Sequence, residues 1–547
     1  MTAPPAAAIE KQAGRAPRLF PGWFFRLVIA GALVMTILMR LLPEFESVPF
    51  PLGDQAFGNI FSFLFGAFGV FVIWAWISFR SDYLRSIRWL VFLGVPGLIL
   101  MFLGAFRIDG FDGNMHAQIS PRWIPVADRT LGQVVSESPK VGIDLATTTP
   151  ADFPGFLGPG GKCWVEDPGL AADWTAQPPK LLWKNPIGGG WSAFAAVNGH
   201  AVTLEQRGDE EWVSCYAIAT GKPVWGQAVK ARHENALGGV GPRSTPTVVD
   251  GRVYTLGATG IVQCLEGSTG KVVWKQELLT MYGLTQTESE QEVMWGRAAS
   301  PLVVDDLVIV PAGGKDNEAR GLHPKSLVAF HAADGAKAWD AGGDQISYAS
   351  PIICTLAGKR QVVSVNEKTA TGHDPATGKQ LWSAEWPGDS TADANNSQPV
   401  VLPGDLLLLS KGYGGGAKLL EFSSSDAPPA ERWVNSRVLQ TKFTNVTIID
   451  GYAYGLSDGI LECCDVESGQ RRWKKGRYNH GQILGVGQRI LVLSEDGRLA
   501  LVEANPEEFV ELTSFQVLEG KTWNNLCLYG KLLLVRNGEE AACYELP

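Results

Sequence analysis

The sequence predicts an all-β fold, an eight-bladed β-propeller, carried behind three transmembrane α-helices. Three observations predict it: three apolar runs confined to the first 106 residues, a Gly-to-Trp hairpin signature that recurs along the rest of the chain, and the composition. Glycine and proline make up 96 of 547 residues, about 17.5% against an average near 12%, beside 19 tryptophans and only 19% charged residues. That balance excludes a disordered or coiled-coil chain, which would be charge-rich and poor in aromatics. It suits many short strands joined by tight turns. A net charge of −9 with no long basic run argues against nucleic acid as a partner.

The apolar runs span about 23–39, 57–79 and 89–106. The second holds 23 residues without a charge, long enough to cross the hydrocarbon core. The third contains Pro96 and Gly97, which membrane helices tolerate. The first has Arg26 and Arg40 near its ends, where long side chains snorkel. A cleaved signal peptide is the competing reading of that first run; two further spans and the lack of a small-residue cleavage site argue against it. Lys11, Arg15 and Arg18 precede span one, Glu44, Glu46 and Asp54 follow it, and Arg80, Arg85 and Arg88 follow span two. This alternation places the N-terminus in the cytoplasm and all that follows span three outside. Arg40 stands on the wrong side of the pattern. For a bacterial chain the expectation is an inner-membrane protein with a membrane anchor at 1–106, a periplasmic linker at 107–180 and a periplasmic propeller at 181–547.

The repeat sets the fold. ATGKPVW ends at Trp225, STGKVVW at Trp274, ADGAKAW at Trp339, ATGKQLW at Trp382 and ESGQRRW at Trp473. Gly221, Gly270, Gly335, Gly378 and Gly469 each stand four residues before their Trp, where a hairpin turn needs a positive φ. Upstream, strands open with a Ser-x-Pro or similar triplet at Ser244, Ser300, Ser350 and Ser397. Degraded copies close near Trp433 and Phe515, and successive Trp positions lie 49, 65, 43, 51 and 40 residues apart, the propeller period. Seven blades close between Trp225 and Phe515. The C-terminal piece from Trp523 to Leu546 has three strands, and the orphan strand Leu181 to Lys184 supplies its fourth, so ring closure leaves no exposed sheet edge.

All eight cysteines follow residue 106, where an even count invites a disulfide framework. The repeat argues otherwise. Cys215, Cys264 and Cys463 lie ten residues before their Trp, at the positions of Ala329, Gly372 and Ser423, so Cys fills a slot for a small residue. A vicinal Cys463–Cys464 disulfide is the alternative.

On these residues the chain resembles the pyrroloquinoline-quinone (PQQ) repeat propellers, a group that holds quinoprotein alcohol and glucose dehydrogenases and the BamB-like assembly propellers. DFPGFLGPGG at Asp152 is similar to a W-x-x-F-R-G-P opening in a membrane-anchored bacterial branch of that group, with Leu157 where Arg is usual. EQRGDEE from Glu205, GPRSTP from Gly241 and GRYNHGQ from Gly476 resemble the same branch. The resemblance spans Asp152 to Pro547 and implies the fold; for activity it implies either an enzyme or a binding protein.

In a propeller the segments joining one blade to the next face the mouth of the central channel. They carry Trp191, Arg243, Arg297, Tyr348, Asn396, Lys442, Arg477, His480, Trp523 and Asn524. Four cations in an otherwise acidic protein suit an anion, either the three carboxylates of PQQ or an acidic peptide. The bland alternative is a solvated rim whose charges pair with Glu205, Glu210, Glu211 or Asp393. A quinoprotein would also need Ca²⁺, an acidic base and a Trp floor. The nearest donor set is Asp393, Asn395 and Asn396, in which one acid would have to serve twice. No metal site and no catalytic residue is assigned. The G-x-S-x-G match at Ser457 falls on a hairpin rather than a strand-to-helix turn. The glycine-rich stretch Gly412 to Lys418 lacks the helix a phosphate loop needs. The seven histidines have no zinc-ligand spacing.

The expectation is therefore a membrane-tethered, non-catalytic binding or scaffold platform for a protein or small anionic ligand, with no cofactor assigned. The alternative is a PQQ- and Ca²⁺-dependent membrane dehydrogenase of alcohols or sugars.

Overall fold

A computed structural model describes residues 18–45, 48–134, 142–313, 323, 325–391 and 393–547. The orienting charges Lys11, Arg15 and Glu46 lie outside them. The chain divides into two compact units, one of residues 1–108 with 114–123, the other of 109–113 with 124–547.

The first unit holds three helices, α1 (Trp23–Leu41), α2 (Gln55–Ala75) and α3 (Arg85–Ala105), each long and apolar enough to cross a membrane. The Asp54 carboxylate caps α2 by accepting from the amides of Ala56 and Phe57 at 2.8 and 3.3 Å. Small residues let α1 and α2 approach: a Cβ on Gly69 would stand 3.3 Å from Ala32, and one on Gly58 only 2.6 Å from the Met39 carbonyl. Arg40, out of place in the charge pattern, donates to Ser62 Oγ of α2 at 3.1 Å.

The second unit is the propeller. Blade 1 is Ala195–Val197, His200–Arg207, Glu210–Ala217 and Pro223–Lys230. Six more blades follow in the same antiparallel order, and blade 8 joins Cys527–Tyr529, Leu532–Arg536 and Glu540–Glu545 to Lys180–Pro186. The orphan strand thus closes the ring as expected, with Cys543 opposite Trp183.

Each blade carries a register shift beside one third-strand residue, and that residue opposes the Trp position of the fourth strand. It is Cys215, Cys264, Ala329, Gly372, Cys463 or Cys543 in six blades. In blade 5 it is Leu419, not Ser423, because the hairpin before Trp433 is longer; there the indole is half-buried. In blade 7 Leu501 faces Thr513 and not Phe515. All eight cysteines are free thiols, Cys463 and Cys464 included, and burial pushes the Cys463 thiol up to about 12.

The Gly and Trp of the repeat meet across blades rather than within one. Trp225 Nε1 donates to Gly267 O at 2.9 Å, Trp274 to Ala332 O at 2.9 Å, Trp473 to Asn505 O at 2.8 Å, and Trp183 of blade 8 to Ile218 O of blade 1 at 2.7 Å. For Trp183, Trp225 and Trp274 the indole then lies on the next blade's hairpin glycine, whereas the hairpin after Trp473 has none. A Cβ on Gly270 would stand 2.5 Å from Trp225, and one on Gly335 2.6 Å from Trp274. Trp382 departs from the cross-blade hydrogen bond: the following hairpin, 423–429, has no glycine, and its Nε1 donates to Gln361 Oε1 of its own blade.

The Ser-x-Pro strand openings have a purpose as well. Blade 1's Ala193 amide donates to Thr245 Oγ1, the Thr245 amide to Ser300 Oγ, and the Ser300 amide to Ser350 Oγ. Gln398 pairs with the Ser350 backbone and its own amide donates to Asn445 Oδ1. Gln482 bridges Phe443 O and Trp523 O, and Asn524 donates to Gly190 O and Ser192 O. Every neighbouring pair of blades is joined, so a polar belt runs around the axis and the first strands line the channel. Outside it, apolar clusters fill the blade interfaces, such as Leu256, Cys264 and Trp274 against Val308, Val328 and Phe330.

Residues 107–180, expected as a linker, are largely not a free tether. Phe153 exchanges backbone hydrogen bonds of 2.8 Å with Ala196, and Pro154 O accepts from the Val248 amide at 2.8 Å. Trp164–Val165 then pairs in parallel beside the first strand of blade 7, Gln482–Val486. Phe153, Leu157, Cys163, Leu170 and Trp174 are buried. The strap takes this path because its apolar side chains have an inner strand edge to cover. Leu157 packs with Ile449, Tyr454 and Ile483, an apolar site in which an arginine would lack a partner.

Candidate functional site

The inter-blade segments do gather at one mouth of the channel, but the expected cations do not form an anion seat. Arg243 turns back on its own loop, donating to Gly241 O and Gly238 O at 2.7 Å each. Arg297 is buried and donates to Ala312 O at 2.6 Å. Burial pulls both guanidiniums down to about 10. Lys442 is buried, with its ammonium 5.8 Å from the Tyr413 ring centre, and its carbonyl accepts from Asn396 Nδ2 at 2.8 Å. Arg477 alone of the four is exposed. Tyr348 is buried, with its hydroxyl on Ser390 O and its ring 5.3 Å from Trp295. Two of the four charges are spent on backbone carbonyls, so the reading of four convergent anion-binding cations is corrected.

Three of the four acids of the solvated-rim alternative, Glu205, Glu211 and Asp393, are engaged away from these cations. Glu205 is fully buried and accepts from the Gly188 amide, the Tyr216 hydroxyl and Arg207. Glu211 lies between blades 1 and 2, with Oε2 accepting from the Ala258 amide at 3.1 Å. Burial lifts its carboxyl from 4.5 to about 7. A raised carboxyl stabilises the fold below its unfolded value, and that contribution is lost as pH rises through about 7. Glu211→Gln is therefore expected to leave urea stability at pH 5 little changed and to raise it at pH 8. A variant weaker than the parent at pH 8 would show that the charged form is the stabilising one.

What the mouth does contain is an aromatic arc. Trp191 and Trp523 lie 4.9 Å apart, Trp523 and Phe443 4.9 Å, and Phe443 and His480 5.4 Å. Lys521 places its ammonium 4.3 Å from the Trp523 ring centre and 5.1 Å from that of Trp191. Burial pulls Lys521 down to about 8, against the opposing pull of Glu495 and Asp112. Glu495 accepts from Trp523 Nε1 at 2.7 Å. His480 is buried, and burial together with Lys442 and Arg477 keeps its imidazole neutral.

Onto this arc the chain lays its own segment Asp109–Gly113. The Gly113 amide donates to Glu495 Oε1 at 2.7 Å and Lys521 Nζ donates to Phe111 O at 3.0 Å. At the opposite ends of the first strands the strap Phe153–Val165 covers the channel, leaving a cavity of about 230 Å³ against Thr247, Ser300 and Ser350.

Sequence reasoning placed Trp191, His480 and Trp523 in the mouth but missed Lys521, Glu495, Phe443 and the segment 109–113. Lys521 stands two residues before Trp523 in the same inter-blade segment, and that adjacency was the available signal. Glu495 lies in a hairpin that reads only as a turn.

The Ca²⁺ donor set does not fit a metal. Buried Lys411 donates to Pro387 O at 2.6 Å and pairs with Asp393 at 2.7 Å, so an ammonium already stands where a cation would. Asn395 donates Nδ2 to Asn366 O, Glu367 O and Trp386 O, and its Oδ1 is buried without a hydrogen-bond partner, so the misfit rests on the Lys411–Asp393 pair. Among the described residues no three His, Cys, Asp or Glu side chains gather as metal ligands. Ser457 lies at a hairpin, its hydroxyl accepting from the Gln440 amide.

Eight blades, the cross-blade Trp and Gly contacts and the closing strand define an eight-bladed β-propeller. The family model described as outer membrane protein assembly factor BamB matches residues 209–475, all within it. A quinohemoprotein alcohol dehydrogenase from Comamonas testosteroni is similar in structure at 14% identity, over 73% of this chain and 81% of that one, with a TM-score of 0.53. A second, from Pseudomonas putida HK5, aligns at 13% identity over 73% and 80% with a TM-score of 0.52. BamB from Moraxella catarrhalis aligns at 15% identity over 67% of this chain and 99% of its own, with a TM-score of 0.47. At these identities the likeness is one of fold. No curated protein sequence matches the chain.

Proposed function

We propose that this protein is a membrane-tethered, non-catalytic binding platform of the bacterial inner membrane, with its propeller in the periplasm and a protein segment as its ligand. The observation that supports this reading is a channel occupied by peptide at both ends, Asp109–Gly113 at one and Phe153–Val165 at the other. A site for small-molecule chemistry needs an open approach and a free base, whereas this mouth presents neutral indoles and backbone-reading groups. The acid of the candidate Ca²⁺ set, Asp393, is paired with Lys411, and the mouth carboxylate Glu495 is engaged by Trp523 and Gly113, which weighs against the dehydrogenase alternative.

Two measurements test the reading. Alkaline phosphatase fused after residue 150 is expected to be active and a fusion between Arg80 and Arg88 inactive; the reverse pattern sinks the periplasmic assignment. Purified protein supplied with PQQ and Ca²⁺ is expected to reduce no dye with alcohols or aldoses. Turnover that vanished on chelating Ca²⁺ would replace the platform with the dehydrogenase.

A further inference from the structure

We propose that the seat formed by Trp191, His480, Glu495, Lys521 and Trp523 is a receptor for a glycine-flanked peptide turn, and that Asp109–Gly113 is its resident occupant, exchangeable for a like turn on a partner protein. The inference rests on the platform reading and names the class of ligand that site takes.

The seat reads main chain rather than side chains. Lys521 Nζ holds the Phe111 carbonyl at 3.0 Å and Glu495 Oε1 holds the Gly113 amide at 2.7 Å, one donor and one acceptor two residues apart. Trp523 Nε1 fixes that same carboxylate oxygen at 2.7 Å, and the indoles of Trp523 and Trp191 flank the ammonium. The two groups are therefore oriented by the propeller itself, with or without an occupant.

Glycine is required at both ends of the turn. A Cβ on Gly113 would stand 2.1 Å from His480 Cδ2, and Gly110 holds φ +151 with the Ala236 carbonyl 3.3 Å from where its Cβ would be. The recognised pattern is thus Gly-x-x-Gly, as in Gly110-Phe111-Asp112-Gly113. A covalently attached occupant competes through effective concentration as well as intrinsic affinity. A partner presenting the same turn at sufficient local concentration replaces it.

The test uses the full chain in lipid nanodiscs and a fluorescein-labelled peptide of sequence IDGFDGN, residues 108–114. Gly113→Val unseats the resident turn, so this variant is expected to bind the peptide at least tenfold more tightly than the parent by fluorescence anisotropy. Adding Lys521→Gln is expected to reduce that binding at least tenfold, and a peptide with valine in place of its last glycine is expected not to bind. A second variant, with 109–113 replaced by a Ser-Gly linker of equal length, provides the same opening if Gly113→Val misfolds. The inference is overturned if an opened variant with the parent's melting temperature binds no more tightly than the parent, or if Lys521→Gln leaves binding intact. Either result would leave the platform standing, whereas PQQ-dependent turnover would remove the platform whatever the peptide does.

Discussion

Replacing Arg536 with methionine is expected to destabilise the propeller by about 3–5 kcal/mol, the cost of breaking a buried ion cluster from one side. Arg536 is fully buried on the second strand of blade 8, and it donates to Thr203 Oγ1 at 2.8 Å, Leu204 O at 2.9 Å and Gly188 O at 2.6 Å of blade 1. It also faces buried Glu205. Burial alone would raise that carboxyl, but Arg207 and Arg536 together hold it below its ordinary range. Methionine fills similar volume and takes the donor away from three acceptors at the seam where the chain ends meet. Urea unfolding followed by tryptophan fluorescence measures the loss. Adding Glu205→Gln is expected to return at least about 1 kcal/mol, because the two groups belong to one cluster. A loss below about 1 kcal/mol for the single variant would show that the closing strand alone carries the seam.

Gly270→Val is expected to cost about 2–5 kcal/mol. Holding an L residue at φ +72 costs about 1–2 kcal/mol, and overpacking a buried contact adds about 1–3. The second contribution arises because the new Cβ would stand 2.5 Å from the Trp225 ring of the preceding blade. Gly404 is the control. It holds φ +83 with nothing within 4 Å of its Cβ position, so Gly404→Val should lose only the smaller, conformational part. Equal losses at the two sites would remove the cross-blade contact as the reason for the repeat's glycine.

The architecture was legible because its signals are periodic or local. Three apolar runs separated by charged loops became three helices, and each Gly-turn-Trp copy became a blade. Trp183 announced a strand with no blade of its own, and it closed the ring. The small residue facing each Trp was legible in the copies with equal hairpins. It was misplaced at Ser423, where a longer hairpin shifts the count to Leu419.

The sequence by itself determined the three long apolar helices, the blade number and the closing strand, since each follows from a pattern repeated within reach of a single element. Only the tertiary structure decided how the charges are spent. Whether Arg243 faces a ligand or its own loop depends on where Gly238 and Gly241 place their carbonyls, and no spacing encodes that. The pairing of Lys521 with Phe111 and of Glu495 with Gly113 joins residues 410 and 382 positions apart. Such contacts exist only after the ring has closed, because ring closure fixes which inter-blade segments share a mouth and therefore which side chains a returning segment can meet.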